Sequence, residues 1–263
     1  MNDALYIAAT GMQTQQLAVD TIANNMANAT TPGYKSGRVN FQELMYRDAA
    51  GPHSAADATL TASQSGALGQ GSGVGVASLL KSFVPGAVTA TANPLDLAIK
   101  GDGFIEVQMT DGTTAYWRGG TLQVTSEGWL ATSQGQLLKP QIRVDRNAGE
   151  LVIEADGRVM SHREGGKDVE LGQLGLHAFP NPSGLHALGD GMYAATEASG
   201  DAVPAHPGDV GSGAFVQRGA EASNVVLVDE MVNLMMAQRA YEMNVKVIQT
   251  ADEMVGMSNN LHR

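Results

Sequence analysis

Six histidines, His53, His162, His177, His186, His206 and His262, are the side chains of this chain best suited to hold a metal or move a proton. Metal sites place their ligands at short, regular spacings, and these six are scattered without any. Surface histidines are expected, and no metal. The acidic pair Asp229-Glu230 has the chemistry of a general acid and base. It stands at the start of a helical pattern, however, where carboxylates answer the positive end of the helix dipole. The stretch "GQGSGVGV" at 69–76 is glycine-rich but misses the GxGxxG register and lacks the strand and helix that flank a nucleotide cradle. No GxSxG elbow, HExxH helix or GxxxxGKS loop occurs. Asn28-Ala29-Thr30 matches a glycosylation sequon only formally, at a helix end. The expectation is a protein that is not an enzyme, with no catalytic residue, no cofactor and no small-molecule substrate.

Composition narrows the classes further. The chain has 263 residues, enough for one large domain or two smaller ones with a sizeable core. Cysteine is absent, which removes disulfides, CxxC redox chemistry and thiol nucleophiles together. A formal net charge of −11 speaks against a duplex-binding surface, so no nucleic acid is expected. Only 16% of residues are charged, against about 25% in an ordinary soluble domain, and something other than water is expected to cover part of the surface. The N-terminus has neither the basic region nor the apolar run of a cleaved signal peptide or membrane span.

The elements that would position any site are helices at both ends. Leu5, Ala8, Met12, Gln15, Val19, Ile22 and Met26 advance in steps of three and four, a heptad seam interrupted by one glutamine. Asp3 and Asp20 are the only charges before Thr31; the other polar positions are largely amides, among them Gln13, Gln16, Asn24, Asn25 and Asn28. A solvated outer face would carry Lys and Glu, whereas loss of charge with retention of amides marks the buried centre of an interface. Thr31-Pro32-Gly33 ends the helix, with Gly33 redirecting the chain.

A second, longer helix is predicted from about Asn224 or Val228 to Leu261, capped by Ser223 or Asn224. One seam holds Leu227, Met231, Leu234, Tyr241, Val245, Ile248 and Val255; a second holds Val232, Met236, Ala240, Met243, Val247, Ala251 and Met254. A single partner helix covers one seam, so more partners are implied, unless the helices close a bundle within one chain. Met231, Met235, Met236, Met243, Met254 and Met257 thicken it, flexible side chains that need burial either way.

Between the helices the apolar period falls to two. Phe104 to Met109, Ala115 to Trp117, Leu122 to Thr125, Trp129 to Thr132, Leu151 to Ala155, Arg158 to Ser161 and Gln173 to Phe179 read as strands. Turns are expected at Asp111-Gly112, Glu127-Gly128 and Asp156-Gly157. The fold class predicted is α+β: long N- and C-terminal helices forming a discontinuous coiled-coil-like helical domain, with a central antiparallel β domain. The boundaries expected are a helical segment at 1–34, an extended connection at 35–84, the β domain at 85–222, and a helical segment at 223–263 pairing with 1–34. The Ala, Ser and Gly-rich stretch from Tyr46 to Val76 reads by itself as a linker.

Three motifs, one near each end and one in the middle, carry a resemblance. Ile22-Ala23-Asn24-Asn25-Met26-Ala27-Asn28 followed by Thr31-Pro32-Gly33-Tyr34-Lys35 resembles the N-terminal signature of the axial proteins of the bacterial flagellum, its rod and hook subunits. Ala98-Ile99-Lys100-Gly101-Asp102-Gly103-Phe104 is similar to that family's lead into its β domain, and Asp229-Glu230-Met231-Val232 with Gln238-Arg239-Ala240-Tyr241-Glu242-Met243-Asn244 to its C-terminal signature. Trp117-Arg118-Gly119-Gly120 departs from the Asp-Gly wording usual in relatives. Within the family the chain resembles most the distal-rod members, whose stiffening segment is matched at 46–69.

The resemblance implies a structural subunit of a hollow helical drive shaft that transmits torque and lets exported subunits pass. It implies as partners copies of the chain itself, proximal-rod and hook subunits, surrounding basal-body ring proteins and the flagellar export apparatus. It implies a rod spanning the periplasm, reached without a cleaved signal. The assembly interface would use Leu5, Met12, Val19, Ile22, Asn24, Asn25, Met26 and Asn28 at one end and Met231, Leu234, Gln238, Arg239, Tyr241, Val245, Ile248 and Val255 at the other, with Pro32, Gly33, Tyr34 and Lys35 as the turn. Rival readings are a proximal-rod subunit and a secreted glycan-modifying enzyme, which would need convergent carboxylates in a cleft.

Overall fold

A computed structural model describes residues 2–44, 73–145, 149–162, 168–209 and 211–261; for Asn2, Asp3, Val255 and 258–261 only the backbone is described. The stiffening segment expected at 46–69 and the histidines His53 and His262 lie outside the described residues. The chain divides into two compact units, the first of Met1–Asn24, Gly37–Leu80 and Leu227–Arg263, the second of Asn25–Ser36 and Lys81–Val226.

The first unit holds most of α1 (Asn2–Ala27) and all of α2 (Leu227–Leu261), with a two-stranded ribbon of Gly37–Glu43 and Val74–Lys81 whose last residue, Lys81, belongs to the second unit. No proline interrupts either helix, and strong formers dominate both. Pro32 cannot continue α1, and Gly33, at φ +71°, takes the left-handed conformation that turns the chain away. Asp229 and Glu230 sit in the first turn of α2. Neither Ser223 nor Asn224 caps that helix: it starts at Leu227, and the Asn224 side chain is spent on Ser36 N–H at 2.8 Å and Ser82 O at 2.7 Å. No helix among the described residues is long and apolar enough to cross a membrane.

The coiled-coil-like helical domain expected from the heptad seams is not found. The described residues contain two α-helices, one at each end, and the rest of the regular structure is almost wholly β. Large seam side chains that a coiled coil would interlock stay open, Met231 at 50% and Tyr241 at 41% exposure. The buried side chains of α1 and α2 in this unit are the small Ala8, Thr14, Ala237 and Ala251. At Gly11 an added Cβ would come within 2.9 Å of Asn244 Nδ2, so the helices meet through small residues. Heptad spacing reports which face is apolar; knobs-into-holes packing also needs large side chains at the contact, and here they lie off it.

The second unit is built on a nine-stranded antiparallel sheet. Its order is His186–Gly189, Met192–Ala194, Thr114–Trp117, Ile105–Gln108, Leu137–Leu138, Leu130–Thr132, Gly119–Val124, Asp96–Lys100 and Ala214–Gln217. Glu150–Ile153, Arg158–His162 and Val169–Gln173 form a three-stranded antiparallel sheet, and Gly219–Glu221 pairs with Val88–Ala90. At Asp111-Gly112 the carboxylate accepts from Thr113 N–H at 2.9 Å and Thr113 Oγ1 at 2.6 Å, the side-chain turn that aspartate favours. Alternating residues such as Leu97, Ile99, Ile105 and Val107 are fully buried in the main core, as period two requires. A second, aromatic cluster of Phe104, Phe179 and Tyr193, with Phe83 against it, packs edge to face at centroid separations of 5.0–5.8 Å.

Candidate assembly face and a buried ion cluster

Two features stand out from the ordinary packing, an apolar face in the first unit and an ion cluster in the second. Along α2, Val232, Met236, Met243, Val247 and Met254 follow steps of four and seven, which places them on one stripe. All five are open: Met236 is 57% and Met243 67% exposed. Met231, Met235 and Met257 widen the stripe. On α1, Tyr6, Ile7 and Leu17 are exposed, and on the ribbon so are Phe41, Val76 and Leu79. Single exposed apolar residues are common; a run of this length along one helix marks a surface meant to be covered.

The residues expected at the interface are distributed unevenly. Leu5, Met12, Val19, Ile22 and Met26 are half-buried, as are Asn28, Leu234, Val245 and Ile248. Asn24, Met231, Gln238, Arg239 and Tyr241 are exposed. Asn25 is buried and accepts from Tyr34 Oη at 3.2 Å. The Val255 side chain lies outside the described residues. Pro32 is exposed, Gly33 and Tyr34 half-buried, and Lys35 wholly buried.

Lys35 is not a surface cation. Its Nζ lies 2.7 Å from Glu221 Oε1 and donates to Val84 O at 3.1 Å. The other carboxylate oxygen, Glu221 Oε2, is 3.2 Å from Arg118 Nε. Arg118 Nη1 donates to Gly103 O at 2.6 Å and Nη2 to Gly101 O, and the guanidinium lies 5.5 Å from the centre of the Phe104 ring. Gly86 N–H completes the shell at 2.9 Å from Glu221 Oε1. The three side chains are 0%, 4% and 2% exposed. Burial lowers the Lys35 pKa, and Glu221 opposes that pull. Burial works against charge on Glu221 too, but Arg118, Lys35 and Gly86 N–H outweigh it and hold the carboxyl below its ordinary value. The Tyr193 hydroxyl, buried close by, is pushed up to about 12.

The cluster joins the signature turn at 32–35 to the segment leading into α2. Sequence reasoning singled out Lys35 but not its partners, because Glu221 lies 186 positions away and Arg118 lies 103 from Glu221. The one signal available was chemical: Arg118 and Glu221 are charges set among strand residues of a chain that uses charge sparingly.

A pH dependence follows. Because Glu221 has a depressed pKa in the folded chain, its contribution to stability is complete above the ordinary value of 4.5. That contribution is lost as the pH falls below 4.5 toward the folded value. Urea midpoints measured between those limits should fall more steeply for the native chain than for Glu221→Gln. Gly86→Ala should act at the same place, since its added Cβ runs into the Ala222 carbonyl. Such overpacking costs about 1–3 kcal/mol, read as a lowered denaturation midpoint.

Nothing in the described residues resembles a catalytic centre. No group of three or more His, Asp or Glu side chains there stands close enough to hold a metal. His162 Nδ1 pairs with Asp168 at 2.6 Å on an exposed hairpin, and His177 Nε2 lies 3.4 Å from Glu106.

Comparison with known proteins bears on both features. The family described as "Flagella basal body rod protein" matches residues 5–35, "Flagellar hook protein FlgE/F/G D1 domain" matches 98–161, and "Flagellar basal body rod FlgEFG protein C-terminal" matches 216–261. The chain is 40% identical to the flagellar basal-body rod protein FlgG of Caulobacter vibrioides, over 98% of each chain. It is 39% identical to FlgG of Borreliella burgdorferi over 100% of both. The flagellar basal-body rod protein FlgF of Caulobacter vibrioides is 31% identical, over 97% of this chain and 95% of its own.

Proposed function

The chain belongs to the flagellar basal-body rod protein family, and from that premise we propose that it is a structural subunit of the distal rod. It self-assembles and associates with other rod and hook components of the basal body; it is not an enzyme. The observation that carries the proposal beyond family membership is the open methionine stripe of α2, with Met243 67% exposed in the isolated chain. A surface of that kind marks a site that other chains cover. Identity of 40% to the Caulobacter FlgG against 31% to FlgF of the same organism supports a place beside the FlgG proteins.

A contact of one face of a copy with a different face of the next is heterologous, and where its rotation does not close into a ring it grows as an open helical filament. A tube of such copies would transmit torque and leave a lumen for exported subunits. The interface proposed retains Leu5, Met12, Val19, Ile22, Asn24 and Met26 on α1, with Asn28 just beyond its end. On α2 it retains Met231, Leu234, Gln238, Arg239, Tyr241, Val245 and Ile248. Ring proteins and the export apparatus are the further partners proposed, with export across the inner membrane by an uncleaved N-terminal segment.

Electron microscopy of the purified, concentrated protein tests the reading, with hollow filaments as the expected result. A folded chain that stays monomeric under every condition in which relatives polymerise would count against it. Leu234→Asp or Ile248→Asp should stop filament growth, because each places an unpaired charge in a helix contact. Growth at undiminished yield would remove those two residues from the interface.

A further inference from the structure

The chain passes into or out of the second unit at four places: before Asn25, after Ser36, before Lys81 and after Val226. Residues beside all four meet in one knot. Segments 33–36 and 221–224 run side by side in the same direction. Gly33 N–H donates to Glu221 O at 2.6 Å, Asn224 N–H to Tyr34 O at 3.4 Å, and Ser36 N–H to Asn224 Oδ1 at 2.8 Å. Ser82 N–H donates to Ser36 O at 2.9 Å, and Asn224 Nδ2 returns a bond to Ser82 O at 2.7 Å. Tyr34 Oη reaches Asn25 Oδ1 at 3.2 Å. On its other side the outgoing segment is held by Ala222 N–H to Ala87 O at 2.8 Å and by the pairing of Gly219–Glu221 with Val88–Ala90.

We infer that this knot is a shear clamp, which carries tension between α1 and α2 past the β body. Tension that draws the two helices apart reaches the pair at Gly33 on one segment and at Asn224 on the other. Since the segments run in the same direction, these are opposite ends of the pair. The pull therefore slides one segment along the other and strains all the bonds together; peeling them one after another would need far less force. The Lys35–Glu221–Arg118 cluster lies across the same pair, where exclusion of water strengthens each charged bond and leaves nothing to replace it when it breaks. Residues 37–220 then stay outside the path of the load.

The source of the load rests on the rod reading, since a shaft subunit must bear tension along its terminal helices without unravelling. The clamp itself is a property of the single chain, so its test does not require filaments. Full-length protein held by its two ends in a force spectrometer should show one high-force rupture, followed by the full extension of the second unit. The double variant Lys35→Met/Glu221→Gln should lose that high-force event, and Asn224→Ala, a milder change, should lower its force. Leu138→Ala, in the core of the sheet, should reduce equilibrium stability while leaving the rupture force unchanged. If the force instead tracks equilibrium stability across all three variants, or the second unit extends gradually in the native chain, the clamp is refuted. The rod reading would be unaffected.

Discussion

Glu221→Ala should cost the second unit about 3–5 kcal/mol, because it leaves Lys35 and Arg118 buried without their shared counter-ion. The size follows from burial. An exposed ion pair contributes under about 1 kcal/mol, since water takes the place of the lost partner. Here the side chains are 0–4% exposed, and no water can do so. Removing all three charges together should be far less harmful, because apolar residues of matching volume avoid the desolvation that the ions suffer. Lys35→Met/Arg118→Met/Glu221→Met is therefore expected to be more stable than Glu221→Ala. Both tryptophans, Trp117 and Trp129, lie in the second unit, so urea unfolding followed by their fluorescence reports on this unit directly. A loss below about 1 kcal/mol for Glu221→Ala would mean that the cluster is hydrated in solution.

The second large effect concerns assembly and not stability. Met243→Glu alters a side chain that is 67% exposed, so the folded monomer should change by no more than about 0.5 kcal/mol. In a filament the same carboxylate would be enclosed by neighbouring chains, where an unpaired charge costs several kcal/mol at every contact. Because each subunit repeats the penalty, polymerisation should stop altogether. Sedimentation of the variant beside the native chain separates the two effects: an unaltered melting curve with no pelletable polymer is the expected pair of results. Polymer at normal yield would move the interface elsewhere on α2.

Much of the β body was legible in the chain because its information is local. Asp111-Gly112 and Asp156-Gly157 announce turns, and alternation through Ile105 and Val107 names the face that enters the core. The helices were legible as helices for the same reason, from Pro32-Gly33 at one end to Asp229-Glu230 at the other. Their packing was not. The heptad steps of Met231, Leu234 and Tyr241 pointed to a coiled coil, yet α1 meets α2 at Gly11 against Asn244 and the buried positions of α2 are Ala237 and Ala251; closeness of approach is not written in hydrophobic period. The ion cluster was hidden for a further reason. Lys35, Arg118 and Glu221 come together only after strands far apart in the chain have paired, and nothing near Lys35 distinguishes a buried lysine from a solvated one. Asn224 likewise reads as a helix cap from its neighbours, whereas its amide is taken up by Ser36 and Ser82 across the fold.

The absence of cysteine makes one measurement decisive for the central claim that neighbouring copies cover α2. Met243→Cys supplies a single thiol on the open stripe, and its rate of reaction with a soluble maleimide can be compared in the monomer and in isolated basal bodies. The account predicts rapid labelling of the monomer and strong protection in the assembled rod. Equal labelling in the two would show the stripe to be solvent-exposed in the rod, and would contradict it.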